Sequence, residues 1–281
     1  MIIIDNAKDM LAWTFSRRAE GKSIGFVPTM GALHEGHASL MRSASAENDV
    51  AVASLFVNPT QFAPNEDFDK YPRTFEADCA LCEASGIAAI YAPKASGMYP
   101  EGYATYVNVE RVSDGLCSGT RPHFFRGVAT VVTKLFNAVL PDRAYFGQKD
   151  AQQCAVIRRM TRDLDFSIEI VECPTVREAD GLAMSSRNRY LSTEERVRGL
   201  SLSRALFAAL DLMKAGERRA ESVLAAARAE LGSVRLDYLT LVDAEEMTPL
   251  ETVRGKVLLA VAAWVGETRL IDNIKFEVPQ S

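Results

Sequence analysis

Two of the chain's three histidines lie close together, in the segment Val27-Pro-Thr-Met30-Gly31-Ala-Leu-His34-Glu35-Gly36-His37. His34 and His37 are three residues apart, so they would share one face of a first helical turn. A helix N-terminus offers free N–H groups and partial positive charge to a phosphate. Two imidazoles on that face can hydrogen-bond or donate protons to a polyphosphate. The spacing therefore favours a helix N-terminus that binds the phosphates of a nucleotide.

A metal site and a purely structural turn are the alternatives for this segment. The spacing is not that of H-E-x-x-H, and a three-histidine zinc site would need His123. The Pro-Thr-Met-Gly stretch and a strand-to-helix context favour a ligand site over a turn that is merely capped. Standard phosphate loops are absent, because Ser16 stands where a Walker A motif ending at Gly21-Lys22-Ser23 needs its first glycine, and no G-x-G-x-x-G occurs. Any nucleotide is held differently.

A second polar segment, Phe56-Val-Asn58-Pro-Thr-Gln61-Phe62, leaves a strongly apolar run. The amides of Asn58 and Gln61 can both donate and accept, which suits a neutral hydroxyl or a carboxylate. Asn-Pro is also a common turn signal, so a plain turn remains an alternative.

Two further segments carry positive charge. In Phe146-Gly147-Gln148-Lys149-Asp150-Ala-Gln-Gln153, the lysine supplies a compact cation for phosphate, and the aspartate could cap a helix or bind a ribose hydroxyl. Gln153 would share a helix face with Asp150. Met184-Ser185-Ser186-Arg187 combines hydroxyls with a guanidinium that can close over phosphates. For the segment with Lys149, the alternative is a simple strand-to-helix turn. For the segment with Arg187, the alternative is a polar linker.

The elements that must position these residues alternate between strand and helix in the first part of the chain. Short apolar runs predict strands at 24–29, 50–57, 87–92, 144–146 and 168–172, with helices at 37–47, 74–85, 128–139 and 150–162. The rhythm predicts a Rossmann-like parallel sheet with helices on both faces, an α/β fold.

The pattern changes after about Cys173. Ser192-Thr-Glu-Glu195 is a capping box that opens a helix ending at Gly216, and a second helix covers 221–231. Strands follow at 236–242, 257–265 and 268–273, the last two joined by a tight turn at Gly266-Glu267. We expect a Rossmann-like nucleotide-binding domain over 1–175 and a small α+β C-terminal lid domain over 176–281.

Length, composition and net charge limit the classes of protein to which the chain can belong. The 281 residues are 48% hydrophobic and 25% charged, with a net charge of −5, which suits one large or two modest globular domains. A mildly acidic chain lacks the basic footprint of a nucleic-acid binder. The longest apolar run is far below the roughly 20 residues of a membrane span, so no membrane association is expected. Five cysteines favour reduced thiols in a cytoplasmic protein, and we interpret the lone Cys79/Cys82 pair as structural.

Taken in order, the four segments resemble the pantoate–β-alanine ligase family of the nucleotidyltransferase superfamily. The resemblance runs from Gly25 to Asn273 and includes Tyr71-Pro-Arg-Thr74, Phe125-Arg-Gly-Val128, Val261-Ala-Ala-Trp-Val-Gly266 and Arg269-Leu-Ile-Asp-Asn273. His34-Glu-Gly-His37 resembles the family's "HIGH" signature, and Met184-Ser-Ser-Arg187 its counterpart of the "KMSKS" loop.

The resemblance implies an ATP-dependent ligation in two steps, with ATP and pantoate bound by the domain over 1–175. Pantoate would attack the α-phosphorus of ATP to give pantoyl adenylate and pyrophosphate, and β-alanine would then displace AMP to give pantothenate. Positioning and charge stabilisation should dominate the first step. Mg²⁺ is expected on the triphosphate, held mainly by substrate oxygens and water. Members of the family are typically cytoplasmic homodimers.

The resemblance also implies roles for individual residues. His37 would act as proton donor with His34 beside it, Lys149 would contact phosphate, Asp150 would face the ribose, and Val176 would touch the adenine through its backbone. ATP would be lined by Met30, Gly31, Ala32, Leu33, His34, Glu35, Gly36, His37, Gly147, Gln148, Lys149, Asp150, Val176, Met184, Ser185, Ser186 and Arg187, and pantoate would be held by Gln61 and Gln153, Gln61 also lying near β-alanine.

One departure and three rival functions remain. The family's Gly-His-Phe-Arg-Gly is written His123-Phe124-Phe125-Arg126-Gly127 here, so Phe124 stands where the family usually has a histidine. A nucleotidyltransferase with another acceptor would share the histidine segment without the paired glutamines Gln61 and Gln153. A non-catalytic nucleotide-binding module would not need both histidines, and a metal-dependent hydrolase would hold a chelator-resistant metal.

Overall fold

The computed structural model describes residues 1–62, 68–119, 121 and 123–279. The chain divides into two compact units. Unit 1 comprises Met1–Gly147 and Val156–Cys173, and unit 2 comprises Gln148–Ala155 and Pro174–Ser281.

Unit 1 is built on a six-stranded sheet in which every pair of neighbouring strands is parallel, in the order β1-β4-β3-β2-β5-β6. The strands are β1 (Ile2–Ile4), β2 (Ile24–Thr29), β3 (Val50–Leu55), β4 (Ala89–Tyr91), β5 (Arg143–Gly147) and β6 (Glu169–Cys173). The interior of β3 is buried residue after residue, as parallel strands covered on both faces require.

Helices cover both faces of this sheet. They are α1 (Ala7–Ala19), α2 (Glu35–Glu47), α3 (Phe75–Ala84), α4 (Ala95–Met98), α5 (Phe124–Val139) and α6 (Ala151–Asp163). Consecutive strand residues point to opposite faces. Val27 belongs to the core cluster of Met41 on α2, whereas the Phe26 ring meets Phe136 of α5 edge-on at 6.4 Å.

Unit 2 is α+β. It contains α7 (Thr193–Lys214), α8 (Ala220–Glu230) and an antiparallel sheet β7-β8-β9, formed by Arg235–Asp243, Lys256–Val265 and Thr268–Glu277. Ser192 and Glu195 form the predicted capping box, with N–H donors at 3.2 and 2.9 Å from the two side-chain oxygens. Gly266 has a φ of 60° in the β8–β9 turn. The α/β prediction with a smaller α+β part is confirmed.

The structure also adds elements that the hydrophobic pattern did not predict. β1 is a three-residue edge strand whose Ile2 and Ile3 are exposed, and α1 buries only Met10 and Thr14, so neither has a marked periodicity. Helix α5 begins four residues earlier than predicted, and β9 extends to Glu277. Within the described residues, no helix is both long and apolar enough to cross a membrane.

Candidate active site

The carboxyl ends of β3, β2 and β5 lie side by side, because these strands are parallel neighbours. The chain proceeds from β2 to β3 on one side, whereas β5 lies on the other side of β2, so the strand order reverses between β2 and β5. Open α/β sheets bind ligands at such a reversal, outside the carboxyl ends of the strands. Met30 directly follows β2, and Gly147 is the last residue of β5.

His34 and His37 begin α2 as a reciprocal cap. His34 is the N-cap residue, and its Nδ1 accepts from the Gly36 N–H at 3.1 Å, while the His34 N–H donates to His37 Nδ1 at 3.4 Å. The two ring centroids are 4.1 Å apart. A neutral imidazole whose Nδ1 accepts a hydrogen bond carries its proton on Nε2. Both rings therefore have donor character at Nε2, which suits phosphate oxygens.

The loop before these histidines depends on a buried carboxylate that the sequence did not reveal. Gly31 and Ala32 have positive φ values of 78° and 51°. Asp78 on α3 is only 4% exposed and accepts hydrogen bonds from the Ala32 and Leu33 N–H groups at 3.0 and 2.8 Å. Thr74 Oγ1 donates to the same carboxylate at 3.1 Å. Asp78 thus holds the turn that leads into His34.

Space at this turn is limited by the same carboxylate. A Cβ added at Gly31 would lie 2.9 Å from Asp78 Oδ2, closer than real Cβ contacts allow. The sequence showed Asp78 only as an acidic residue in a first helical turn, where it favours the helix dipole. Nothing local indicates that it reaches a loop more than forty residues earlier.

The side-chain amide of Asn58 is held in one orientation. Asn58 is 1% exposed, and its Oδ1 accepts from the Tyr99 hydroxyl at 2.8 Å and from Thr60 Oγ1 at 2.9 Å. Its Nδ2 donates to Gln61 Oε1 at 3.0 Å and to the Gly127 carbonyl at 3.1 Å. Burial raises the pKa of Tyr99 to about 12, so its hydroxyl keeps the proton that it donates.

Gln61 is consequently oriented as a donor. Its Oε1 is taken by Asn58, and its Nε2 lies 2.9 Å from Met30 Sδ, on the loop that follows β2. The sequence left open whether this glutamine donates or accepts. Through Nε2 it can donate to a carboxylate or hydroxyl oxygen.

The departure at residues 123–124 also bears on Gln61. The Arg121 guanidinium lies 3.9 Å from the Phe124 ring centre and donates to the Gln61 carbonyl at 3.0 Å. The aromatic ring that replaces the family's usual histidine therefore supports an arginine that holds the Gln61 backbone.

In unit 2, Lys149 lies on a single 3-10 turn, Gln148–Asp150, directly before α6. Its Nζ is 3.6 Å from Asp150 Oδ2, and its side chain is 20% exposed compared with 47% for the aspartate. Gln153 is half-buried in the first turn of α6. Within the described part of the chain, the Lys149 ammonium pairs with a carboxylate that is itself about half exposed, so this largely buried cation suits an anionic ligand.

Residues 176–187, which contain the second cationic motif Met184-Ser-Ser-Arg187, begin as a short hairpin. The Met184 N–H donates to the Val176 carbonyl at 3.0 Å, and the Glu178 N–H donates to the Leu182 carbonyl at 2.8 Å across the turn at Gly181. Ser185 caps the following 3-10 helix, Ser186–Tyr190, through a hydrogen bond from the Arg187 N–H at 3.2 Å.

The predicted site residues are distributed over both units. Residues 30–37, Gln61 and Gly147 belong to unit 1, while Gln148, Lys149, Asp150, Gln153, Val176 and 184–187 belong to unit 2. Among the residues that the structure describes, no group of three or more His, Cys, Asp or Glu is arranged to hold a metal ion. Burial raises the pKa of Cys82 to about 12 and also raises that of Cys79, which is unlike the low-pKa thiols of redox motifs.

A parallel sheet with a histidine-capped helix at its carboxyl edge defines an α/β enzyme of the Rossmann-like, nucleotide-binding class. A sequence model of the family described as pantoate-beta-alanine ligase matches residues 2–275. The chain belongs to this pantoate–β-alanine ligase family.

Curated relatives and solved structures are similar over nearly the whole chain. The pantothenate synthetase of Moorella thermoacetica is 59% identical over 264 residues, 93% of each chain, and that of Acidobacterium capsulatum is 63% identical over 256 residues, 90% of this chain and 86% of the relative. The crystal structure of pantothenate synthetase from Thermus thermophilus has a TM-score of 0.92 at 44% identity, covering 98% of this chain and 99% of that one.

A further solved structure is similar and carries ligands. The pantoate–β-alanine ligase of Francisella tularensis, complexed with β,γ-ATP and β-alanine, has a TM-score of 0.77 at 31% identity, covering 98% of this chain and 97% of that one.

Proposed function

We propose that this ligase makes pantothenate from pantoate and β-alanine in two steps at the expense of ATP. A pantoate carboxylate oxygen bonds to the α-phosphorus while the bond from that phosphorus to the β-phosphate oxygen breaks, which releases pyrophosphate. The β-alanine amine then bonds to the acyl carbon of pantoyl adenylate, loses a proton and expels AMP. The names of the relatives and the ATP and β-alanine in the Francisella tularensis complex support this reaction.

The observation that carries the proposal is the polarity of the His34–His37 cap. Both Nδ1 atoms accept hydrogen bonds from backbone N–H groups. In each neutral ring the proton is therefore on Nε2, which acts as the donor. In the first step, negative charge grows on the oxygens of the pyrophosphate that leaves. Donors oriented before the reaction stabilise such charge without having to reorganise. We assign His37 as the proton donor to the phosphates, with His34 beside it.

ATP is bound, in this proposal, by the segments that the family resemblance implied. The roles are those of Lys149 on phosphate, Asp150 toward the ribose and Val176 on the adenine through its backbone. The remaining ATP contacts are Met30, Gly31, Ala32, Leu33, Glu35, Gly36, Gly147, Gln148, Met184, Ser185, Ser186 and Arg187. Lys149 and Arg187 supply cations locally in a chain whose net charge is −5, which concentrates attraction for a triphosphate.

Pantoate is held by Gln61 and Gln153, and Gln61 also lies near the β-alanine position. The orientation of Gln61 supports this, because its Nε2 donates whereas its Oε1 is occupied by Asn58. A donor matches the carboxylate and hydroxyl oxygens of pantoate. An acceptor at that point would repel the same carboxylate.

We propose that Mg²⁺ binds together with ATP, on its triphosphate. The residues assigned to the triphosphate are mainly imidazoles, an ammonium and a guanidinium, which fit phosphate oxygens and not a hard cation. The ion would therefore be held by triphosphate oxygens and water, where it neutralises charge. We also propose that residues 1–175 form the ATP- and pantoate-binding domain, with 176–281 as a smaller C-terminal domain, in a cytoplasmic homodimer.

One assay tests the reaction. Purified protein with ATP, Mg²⁺ and pantoate should exchange labelled pyrophosphate into ATP, and adding β-alanine should yield equal amounts of AMP and pantothenate. Without pantoate no exchange is expected. Turnover with another carboxylate but none with pantoate would favour the alternative of a different acceptor, which the relatives' names do not favour.

A further inference from the structure

The near-terminal motif Arg269-Leu-Ile-Asp-Asn273 resembles the family but has no role in the reaction as proposed so far. Its last two residues, Asp272 and Asn273, are adjacent on β9 and each 4% exposed. Buried polar side chains require partners, and here both have partners in segments that we have assigned to ATP.

Asn273 holds the turn that carries Lys149. Its Nδ2 donates to the Gln148 carbonyl at 2.9 Å and to the Lys149 carbonyl at 2.8 Å. Both amide hydrogens are therefore used on consecutive peptide groups. The Gln148 side chain returns a longer contact, Nε2 to Asn273 Oδ1 at 3.4 Å. A carboxylate in this place would face two carbonyl oxygens and donate to neither.

Asp272 holds the base of the hairpin that carries the serines and Arg187. Its carboxylate accepts a bidentate pair from Arg177, at 2.6 Å to Nη1 and 3.0 Å to Nη2. Arg177 bridges to Ala183 across the hairpin and donates to the Gly181 carbonyl at 3.2 Å. A paired, planar guanidinium of this kind fixes direction as well as distance.

We propose that Asp272 and Asn273 are positioning residues for ATP, which set the Lys149 turn and the 176–187 hairpin from one rigid strand. This inference rests on the proposed function of those two segments. Neither residue needs to touch substrate, because each acts through hydrogen bonds to the backbone or base of a segment that does. β9 suits this task, since it pairs with β8 along its whole length and packs on α7.

The two side chains have nearly the same shape and opposite hydrogen-bonding character, which allows an exchange test. Asn273→Asp removes both donors, Asp272→Asn removes the bidentate acceptor, and the double exchange restores net charge and volume. We expect each single variant to lower kcat for pantoate-dependent ATP–pyrophosphate exchange by about 10- to 100-fold, the scale of a misplacement near 1 Å. The double exchange should not restore it, since each group is required in its own place.

Two controls match the charge changes. Glu277→Gln also removes a negative charge from an exposed residue of β9, and Asn137→Asp adds one on the exposed side of α5. Both should retain wild-type exchange. Should Asn273→Asp fail to fold, as judged by thermal melting against these controls, Asn273→Ala provides the same test without a new charge.

A double-mutant cycle separates positioning from general stability. If Asn273 acts through Lys149, then Asn273→Ala in a Lys149→Ala background should lower exchange by less than about 3-fold further, while KM for pantoate stays within about 3-fold of wild type. Equal losses in both backgrounds, or single variants within about 2-fold of wild type, would overturn the proposal. A wild-type protein that fails to exchange pyrophosphate with pantoate present would instead refute the proposed function.

Discussion

The hydrogen bonds of Asp78 predict that one carboxylate-to-amide change will loosen the loop before His34. In Asp78→Asn, a single carbonyl oxygen replaces two carboxylate oxygens that accept from Ala32 and Leu33 at 3.0 and 2.8 Å. The new NH₂ group would face one of these N–H groups. The fold should survive, because the substitution leaves shape and volume almost unchanged.

The magnitude follows from the bonds that are lost. Hydrogen bonds to a charged group contribute about 1.5 to 3 kcal/mol each, and a neutral one about 1 kcal/mol. Asn keeps one neutral bond and loses the other, while the smaller cost of burying an amide offsets part of the loss. We therefore expect the local opening free energy of the loop to fall by about 2 to 3 kcal/mol, or roughly 30- to 160-fold in the opening equilibrium.

Hydrogen–deuterium exchange of peptides that span residues 30–34 measures this opening directly, and pyrophosphate exchange measures its effect on the reaction. We expect faster deuterium uptake in this segment and about 10-fold or more loss of kcat. Glu76→Gln is the matched control, since it makes the same chemical change at an exposed residue in the first turn of the same helix. Protection and kcat in Asp78→Asn equal to those of Glu76→Gln would show that the carboxylate does not hold the loop.

Further predictions concern the histidine cap, the oriented glutamine and the buried thiols. His37→Ala should lower pyrophosphate exchange by on the order of 10²-fold or more, and near-normal turnover would make this histidine structural. Gln61→Ala should raise KM for pantoate while leaving KM for ATP within about 3-fold, and a selective effect on ATP would contradict its assignment. Tyr99→Phe should raise KM for pantoate by about 3- to 10-fold, because Asn58 loses one of the donors that orient it; unchanged kinetics would show that Thr60 suffices. With a pKa of about 12, Cys82 should carry thiolate in about one molecule in 10⁴ at pH 8 and resist iodoacetamide until urea is added, as mass spectrometry would show, whereas rapid alkylation of folded protein would refute its burial.

The strands around the site were predictable because they are buried on both faces. Runs such as Val50–Leu55 are apolar except for Ser54, and their length and β-branched residues distinguish them from helices. The edge strand Ile2–Ile4 was not predicted, since three residues with two exposed isoleucines show no periodicity. The early start of α5 at Phe124 was also missed, because no side chain caps it there.

The sequence was enough to propose chemistry-bearing residues, but not to identify the partners that hold them in the structure. His34 and His37 could be paired by spacing, since a helical turn brings residues three apart together. Asp78 and Asn273 could not be linked to the loops that they hold, because these contacts span 45 and 124 residues along the chain and leave no local signature. The polarity of Gln61 depends likewise on Tyr99, a residue on a separate segment.

A common pattern connects these unpredicted contacts. The imidazole Nδ1 atoms of His34 and His37, the Oε1 of Gln61 and the carbonyls of Gln148 and Lys149 are all occupied by partners within the protein. For His34, His37 and Gln61, the occupied atom sets the tautomer or the amide orientation and so makes Nε2 the donor of the group. Without these partners, the histidine and glutamine side chains could either donate or accept. A change of tautomer or of amide orientation on ligand binding would then cost free energy. The partners within the protein fix these orientations before binding, which suits the phosphate and carboxylate oxygens that the proposed reaction brings to these donors.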